Sequence, residues 1–221
     1  MDKEKYSNYM SPNTSFSFEK YAQMPVVGII RGYDLETVKW IADSYQACGF
    51  FTLEITMNTA GATEIISALV KDYPEMNIGA GTVCNLKDYQ NARDAGAQFI
   101  VTPIIDEAVI KAAVADKLPI FPGAYTPSEI YKAWSFGAMA VKIFPATQLG
   151  VSFIKDIKGP LKQIKVLPTG GVALENIRSF FEVGVYGVGM GSSLFPKNLI
   201  GLKDTAGLKE HFLAIKAELK G

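Results

Sequence analysis

Two charged residues interrupt stretches that are otherwise apolar. Lys142 lies within Ala138-Met-Ala-Val-Lys-Ile-Phe-Pro145, and Glu54 within Phe50-Phe-Thr-Leu-Glu-Ile55. A side chain inside a buried strand loses water, and desolvation lowers an amine's pKa and raises a carboxyl's. A neutral amine can attack a carbonyl and form a Schiff base. A carboxyl nearby can move protons, directly or through water. Together they are the minimum for reversible carbon–carbon cleavage through an iminium and an enamine. The same pair can equally be only a buried salt bridge, which is weak evidence of stability.

A second set of residues suits an anion. Gly170-Gly171 and Gly191-Ser192 follow two late apolar stretches, where backbone N–H groups of tight turns cradle phosphate. Ser192 and Ser193 add hydroxyl donors. Arg31 ends the apolar stretch Pro25–Ile30 and either binds substrate or pairs with Glu54. The hydroxyls of Thr82, Thr102 and Thr169 can serve a substrate carboxylate or hydroxyl, or simply satisfy local backbone. Phe144 reads as packing against the lysine.

The rest of the inventory excludes alternatives. Lys+Arg number 22 and Asp+Glu 22, so no net field draws in nucleic acid or an anionic membrane. Hydrophobic residues at 48% against 20% charged rule out disorder for most of the chain. The single histidine, His211, reads as a surface helix residue, and a histidine triad or zinc site needs one in the body of the fold. Cys48 and Cys84 form no CxxC pair and read as buried thiols. The charged start from Met1 to Lys5 is unlike a signal peptide, and no apolar stretch approaches the roughly 18 residues of a membrane span. A cytoplasmic protein is expected.

Positioning these groups falls to an alternation of strand and helix. After a polar lead-in over 1–15 and a short helix over 16–24, strands are predicted over 25–30, 50–56, 76–80, 98–102, 118–121, 138–144, 164–168 and 186–190. Helices are predicted between them over 34–47, 62–72, 86–95, 106–115, 127–136, 151–157 and 174–183, with a last one over 205–219. Gly49, Gly96, Gly137 and Gly184 each sit between a helix and a strand, where positive φ makes a tight turn. Eight strands in 221 residues predict one (β/α)₈ TIM barrel with its core over 25–195 and a C-terminal segment and helix over 196–221. The open doubly wound alternative lacks its glycine fingerprint, since Gly28, Arg31 and Gly32 do not make GxGxxG. In a barrel, Arg31, Glu54, Thr82, Thr102, Lys142, Thr169, Ser192 and Ser193 fall at or just after the C-terminal tips of strands.

With Leu53-Glu-Ile-Thr56, Gly79-Ala-Gly-Thr-Val83, Val141-Lys-Ile-Phe-Pro145 and Pro168-Thr-Gly-Gly171 in this order, the chain resembles the class I aldolases acting on 2-keto-3-deoxy-6-phosphogluconate and 4-hydroxy-2-oxoglutarate. The resemblance runs from about Pro25 to Phe195. It implies Lys142 as the Schiff-base lysine and Glu54 as the general acid/base. Thr82 would hold the pyruvyl portion, and Pro103 and Phe144 would be pocket walls. Thr169, Gly170, Gly171, Gly191 and Ser192 would line the distal or phosphate end. It further implies a homotrimer, a 2-keto acid substrate, release of pyruvate and D-glyceraldehyde 3-phosphate, and no cofactor or metal beyond the covalent Schiff base on Lys142. One position departs: Asn58 stands where the gluconate enzymes generally carry a carboxylate-binding arginine. A branch acting on 2-keto-3-deoxy-6-phosphogalactonate has asparagine there, and Val101-Thr-Pro103 also resembles it, whereas Thr169 matches the gluconate group. The alternatives are the same chemistry on the galactonate epimer or on 4-hydroxy-2-oxoglutarate, a phosphate-binding isomerase or epimerase with Glu54 as base, and a non-catalytic sugar-phosphate binder.

Overall fold

The computed structural model describes residues 16–220, so the polar lead-in expected over 1–15 lies outside the described residues. Helix α1 (Phe18–Gln23) opens the fold, with the Ser17 hydroxyl accepting from the Lys20 N–H at its start. Nine parallel strands follow: β1 (Val26–Ile30), β2 (Thr52–Thr56), β3 (Asn77–Gly81), β4 (Ile100–Val101), β5 (Ile120–Phe121), β6 (Gly123–Ala124), β7 (Val141–Ile143), β8 (Val166–Pro168) and β9 (Val188–Met190). They form a six-stranded sheet, β5-β4-β3-β2-β1-β9, and a three-stranded sheet, β6-β7-β8.

Hydrogen bonds link the two sheets on both sides. A parallel bridge joins Thr169 to Gly189, and the Tyr186 N–H donates to the Val166 carbonyl at 2.9 Å. On the other side only Pro122 separates β5 from β6. A strand was expected over 118–121, and β5 covers its end; β6, beyond a proline that has no N–H to donate to the ladder, was not expected.

The helices cover the outer face. These are α2 (Leu35–Ala47), α3 (Ala62–Asp72), α4 (Leu86–Asp94), α5 (Glu107–Ala115), α6 (Pro127–Ser135), α7 (Ala146–Lys158), α8 (Ile177–Glu182), α9 (Lys197–Gly201) and α10 (Thr205–Lys220). The expected inward residues are buried: Val38, Ile41, Ala42 and Tyr45 on α2, Ile65, Ile66 and Leu69 on α3, and Val109, Ile110 and Ala113 on α5. Side-chain caps set several starts, among them Asp34 for α2, Asn85 for α4 and Asp106 for α5. The four turn glycines all take positive φ, from 75° at Gly184 to 98° at Gly137. Two helices depart from expectation. α7 begins at Ala146 and is broken at Gly150 (φ 70°), and α9 occupies a segment for which no helix was predicted.

A second apolar cluster gathers Phe16, Tyr21, Val27, Phe99, Val101, Phe121, Met139, Ala140 and Leu167 on the inner side of the strands. It is sealed by Asn77, whose carbonyl accepts from the Ser17 N–H at 2.6 Å and whose amide donates to Ser17 O at 3.0 Å and Thr52 Oγ1 at 3.2 Å. Asn77 is buried, so truncation leaves these groups unsatisfied. Asn77→Ala is expected to cost about 2 kcal/mol of folding free energy, read as a lower denaturant midpoint at unchanged slope.

Candidate active site

Strand alternation decides which way Lys142 and Glu54 point. Val141 and Ile143 belong to the core beneath the helices, so Lys142 between them faces the opposite, inner side. Leu53 and Ile55 belong to the same outer core, and Glu54 between them also faces inward. Glu54 is level with Ile29 on β1 and Gly79 on β3, and Lys142 with Gly123 on β6 and Leu167 on β8. Both line one cavity of about 500 Å³ at the C-terminal ends of the strands.

The cavity's floor is almost closed to solvent. Glu54 is 1% exposed and Lys142 6%. Burial raises the Glu54 carboxyl above its ordinary pKa, against the opposing pull of Lys142 and Arg31. Burial lowers the Lys142 amine, Glu54 works against this, and Arg31 adds to it. The Glu54 Oε2 atom is buried without a hydrogen-bond partner. The two groups thus feel each other, yet no ion pair joins them among the described residues. An unpartnered carboxylate oxygen near a desolvated amine suits proton transfer to a bound molecule. The Lys142 Nζ lies 4.7 Å from the centroid of the Phe144 ring, which forms a wall beside it.

Room for the carboxylate comes from β3. A Cβ placed on Gly81 would lie 1.6 Å from Glu54 Oε1. Thr82, which follows, has φ 57°, a left-handed backbone uncommon for a β-branched residue. Above β1, the Gly32 N–H donates to Thr59 Oγ1 at 3.0 Å, and Thr59 Oγ1 lies 3.0 Å from Thr56 Oγ1. This buried threonine pair anchors the turn that carries Arg31.

The far end of the cavity is made of turns. Gly170 (φ 86°) and Gly171 (φ 78°) are consecutive left-handed residues. No acceptor among the described residues takes the N–H of Gly170, Gly171 or Ser192. Asn176 holds this turn in place, donating to Gly171 O at 2.8 Å and accepting from the Ala173 N–H at 2.9 Å. Open N–H groups in such a concavity attract anions.

Arg31, Glu54, Thr82, Pro103, Lys142, Phe144, Thr169, Gly170, Gly171, Gly191 and Ser192 all line the cavity. Asn58 is exposed and lies outside its lining. Thr102 is committed to backbone, donating to Ile104 O and accepting from the Gly123 N–H at 3.3 Å. The Ser193 hydroxyl is likewise spent on Val172 O. His211, expected at the surface, is half-buried, with Nε2 2.8 Å from Ser193 O. Cys48 is buried as expected, whereas Cys84 is only half-buried. Burial pushes the Cys84 thiol above its ordinary range, away from thiolate nucleophilicity. Tyr33 and Lys197 also line the cavity and were missed, because Tyr33 sits in a loop and Lys197 opens a short helix that no apolar pattern announces.

The KDPG and KHG aldolase family model matches residues 18–210. The KHG/KDPG aldolase of Escherichia coli (strain K12) is 36% identical over 182 residues, 81% of this chain and 85% of that protein. A solved structure described as native KDPGal superposes with a TM-score of 0.83 at 30% identity, over 90% of this chain and 95% of that one. The KDPG aldolase of Legionella pneumophila, solved with pyruvate captured at low pH as a covalent carbinolamine intermediate, superposes with a TM-score of 0.81 at 29% identity, over 89% of this chain and 96% of that one.

Proposed function

The chain belongs to the KDPG and KHG aldolase family, and from that premise we propose that it is a class I aldolase cleaving 2-keto-3-deoxy-6-phosphogluconate to pyruvate and D-glyceraldehyde 3-phosphate, with Lys142 as nucleophile and Glu54 as proton carrier. One observation carries this reading. Lys142 and Glu54 share one cavity, and burial shifts each toward its neutral form.

In the proposed sequence the neutral Lys142 amine attacks C2 of the keto acid. The carbinolamine loses water, with Glu54 supplying and accepting protons, and an iminium forms on Lys142. Glu54 then takes the C4 hydroxyl proton as the C3–C4 bond breaks, and the bonding electrons enter the iminium to give an enamine. The aldehyde leaves. Protonation of the enamine and hydrolysis release pyruvate and restore the amine. The iminium is the electron sink, so no metal or other cofactor is required in this scheme.

Within the reading, Arg31 and Thr82 hold the carboxylate end, Pro103, Phe144 and Thr169 shape the middle, and Gly170, Gly171, Gly191 and Ser192 bind phosphate. Arg31 stands in for the cation that Asn58 does not supply. The two sheets are read as one closed (β/α)₈ barrel forming a single domain, and the enzyme as a cytoplasmic homotrimer.

The test is capture of pyruvate with borohydride, followed by intact-mass analysis and peptide mapping. One reduced pyruvyl group on Lys142 is expected, and an unmodified Lys142 would sink the assignment. A turnover panel then decides among substrates. The gluconate acid should exceed its galactonate epimer and 4-hydroxy-2-oxoglutarate in kcat/KM, and a higher value for either would replace it.

A further inference from the structure

The cavity carries one cation that the scheme leaves unused. Its lining includes three basic side chains, Arg31, Lys142 and Lys197, and one acidic side chain, Glu54. Arg31 acts on both Glu54 and Lys142 and belongs to the reactive end. Lys197 lies beyond the Gly191–Ser193 turn, and it forms no ion pair among the described residues. A lysine that lines a cavity without a carboxylate partner is free to meet an anion there.

Its mounting is rigid. Leu194 and Phe195 are buried at 0% and 3% exposure, and both of their N–H groups donate to Gly191 O. Ser193 is held from two sides, by its own bond to Val172 O and by His211 at its carbonyl. Pro196, with φ −61°, then leads into α9, whose first residue is Lys197. The stem is therefore fixed, and only the flexible side chain moves.

Backbone N–H groups carry only partial charge and can donate to a neutral hydroxyl oxygen as well as to a phosphate oxygen. A formal cation separates a dianion from a neutral hydroxyl. We propose that Lys197 is the cation that reads the phosphate end of the substrate and sets the preference for a phosphorylated over an unphosphorylated 2-keto-3-deoxy acid. This rests on the aldolase reading above, and deepens it by assigning discrimination at the far end to one side chain.

Lys197→Met tests it in the full-length enzyme. The ratio of kcat/KM for the phosphorylated acid to that for its unphosphorylated counterpart should fall about ten-fold, with the loss in KM. Lys197→Arg should recover most of that ratio. Titration of inorganic phosphate into the apo proteins gives a readout independent of turnover. Wild type should bind about ten-fold more tightly than Lys197→Met, and the difference should shrink as salt is raised. An unchanged substrate ratio, or equal phosphate affinity in the two proteins, overturns the proposal. Failure of wild type to trap pyruvate would instead overturn the aldolase reading, while the phosphate titration would still judge Lys197.

Discussion

Lys142→Ala is expected to abolish pyruvate capture and to lower retro-aldol kcat/KM by at least about ten-thousand-fold. The cavity offers no substitute nucleophile. Lys197 is exposed near the far end, and the delocalised guanidinium of Arg31 is no carbonyl nucleophile. The discriminating variant is Lys142→Arg. An isomerase or epimerase that used Lys142 only as an electrostatic clamp would keep much of its activity with a guanidinium there. A Schiff-base enzyme would lose it as completely as with alanine. The pH profile carries the same information. Burial holds the Lys142 amine below the ordinary lysine pKa, so the neutral fraction persists to lower pH than for a free lysine. Imine formation should therefore decline only as pH falls through that lowered value. A rate still climbing through the ordinary lysine range would contradict a desolvated nucleophile. Single-turnover trapping across pH measures it without interference from product release.

What could be read from sequence had a common physical origin. Lys142 and Glu54 stood out because a charge in a buried strand is costly and is seldom kept without a use. The helices were legible from apolar spacing and caps, and α3 falls on the predicted residues, 62–72. Strand ends were less so, because an apolar stretch continues past its last ladder bond. The strand expected over 98–102 is regular only at Ile100–Val101, although single bonds from Gln98 N–H to Ile78 O and Thr102 N–H to Phe121 O flank it. The short strand β6 beyond Pro122 was not foreseen, nor was the turn of α7 from Ala146 that precedes the break at Gly150. Lys197 had no such contrast. A lysine after Phe195-Pro196 looks like any solvated loop residue until β9 and α9 carry it to the cavity's edge. Asn58 was singled out by its spacing from Glu54, but it follows the end of β2, where alternation no longer fixes direction, and it faces outward. His211 likewise gave no sign of its role, since its partner, Ser193 O, belongs to a loop on the other side of α9 in sequence.

Gly81→Ala should act on Glu54 through space. The new Cβ would lie 1.6 Å from Oε1, 2.1 Å from Cδ and 2.6 Å from Cγ of Glu54. Its backbone is ordinary strand, paired with Thr56, so alanine is tolerated by the chain and the side chain opposite must give way. Glu54 cannot keep its rotamer, and its carboxylate leaves the position from which it serves the bound acid. Moving a general acid/base by an ångström or more removes most of its benefit, so kcat should fall at least about a hundred-fold. Glu54→Gln removes the same proton carrier while keeping its shape, and should lose a comparable amount. Because both changes act on one group, the double variant should be far less impaired than the product of the two single effects. Additive losses would mean that Gly81 contributes something other than space for Glu54. Borohydride capture of pyruvate at Lys142 should persist, slowed, in Gly81→Ala, since the nucleophile lies on β7, away from the substituted strand. If capture were lost together with cooperative unfolding, the alanine would have been paid for by the backbone, and the space argument would fail.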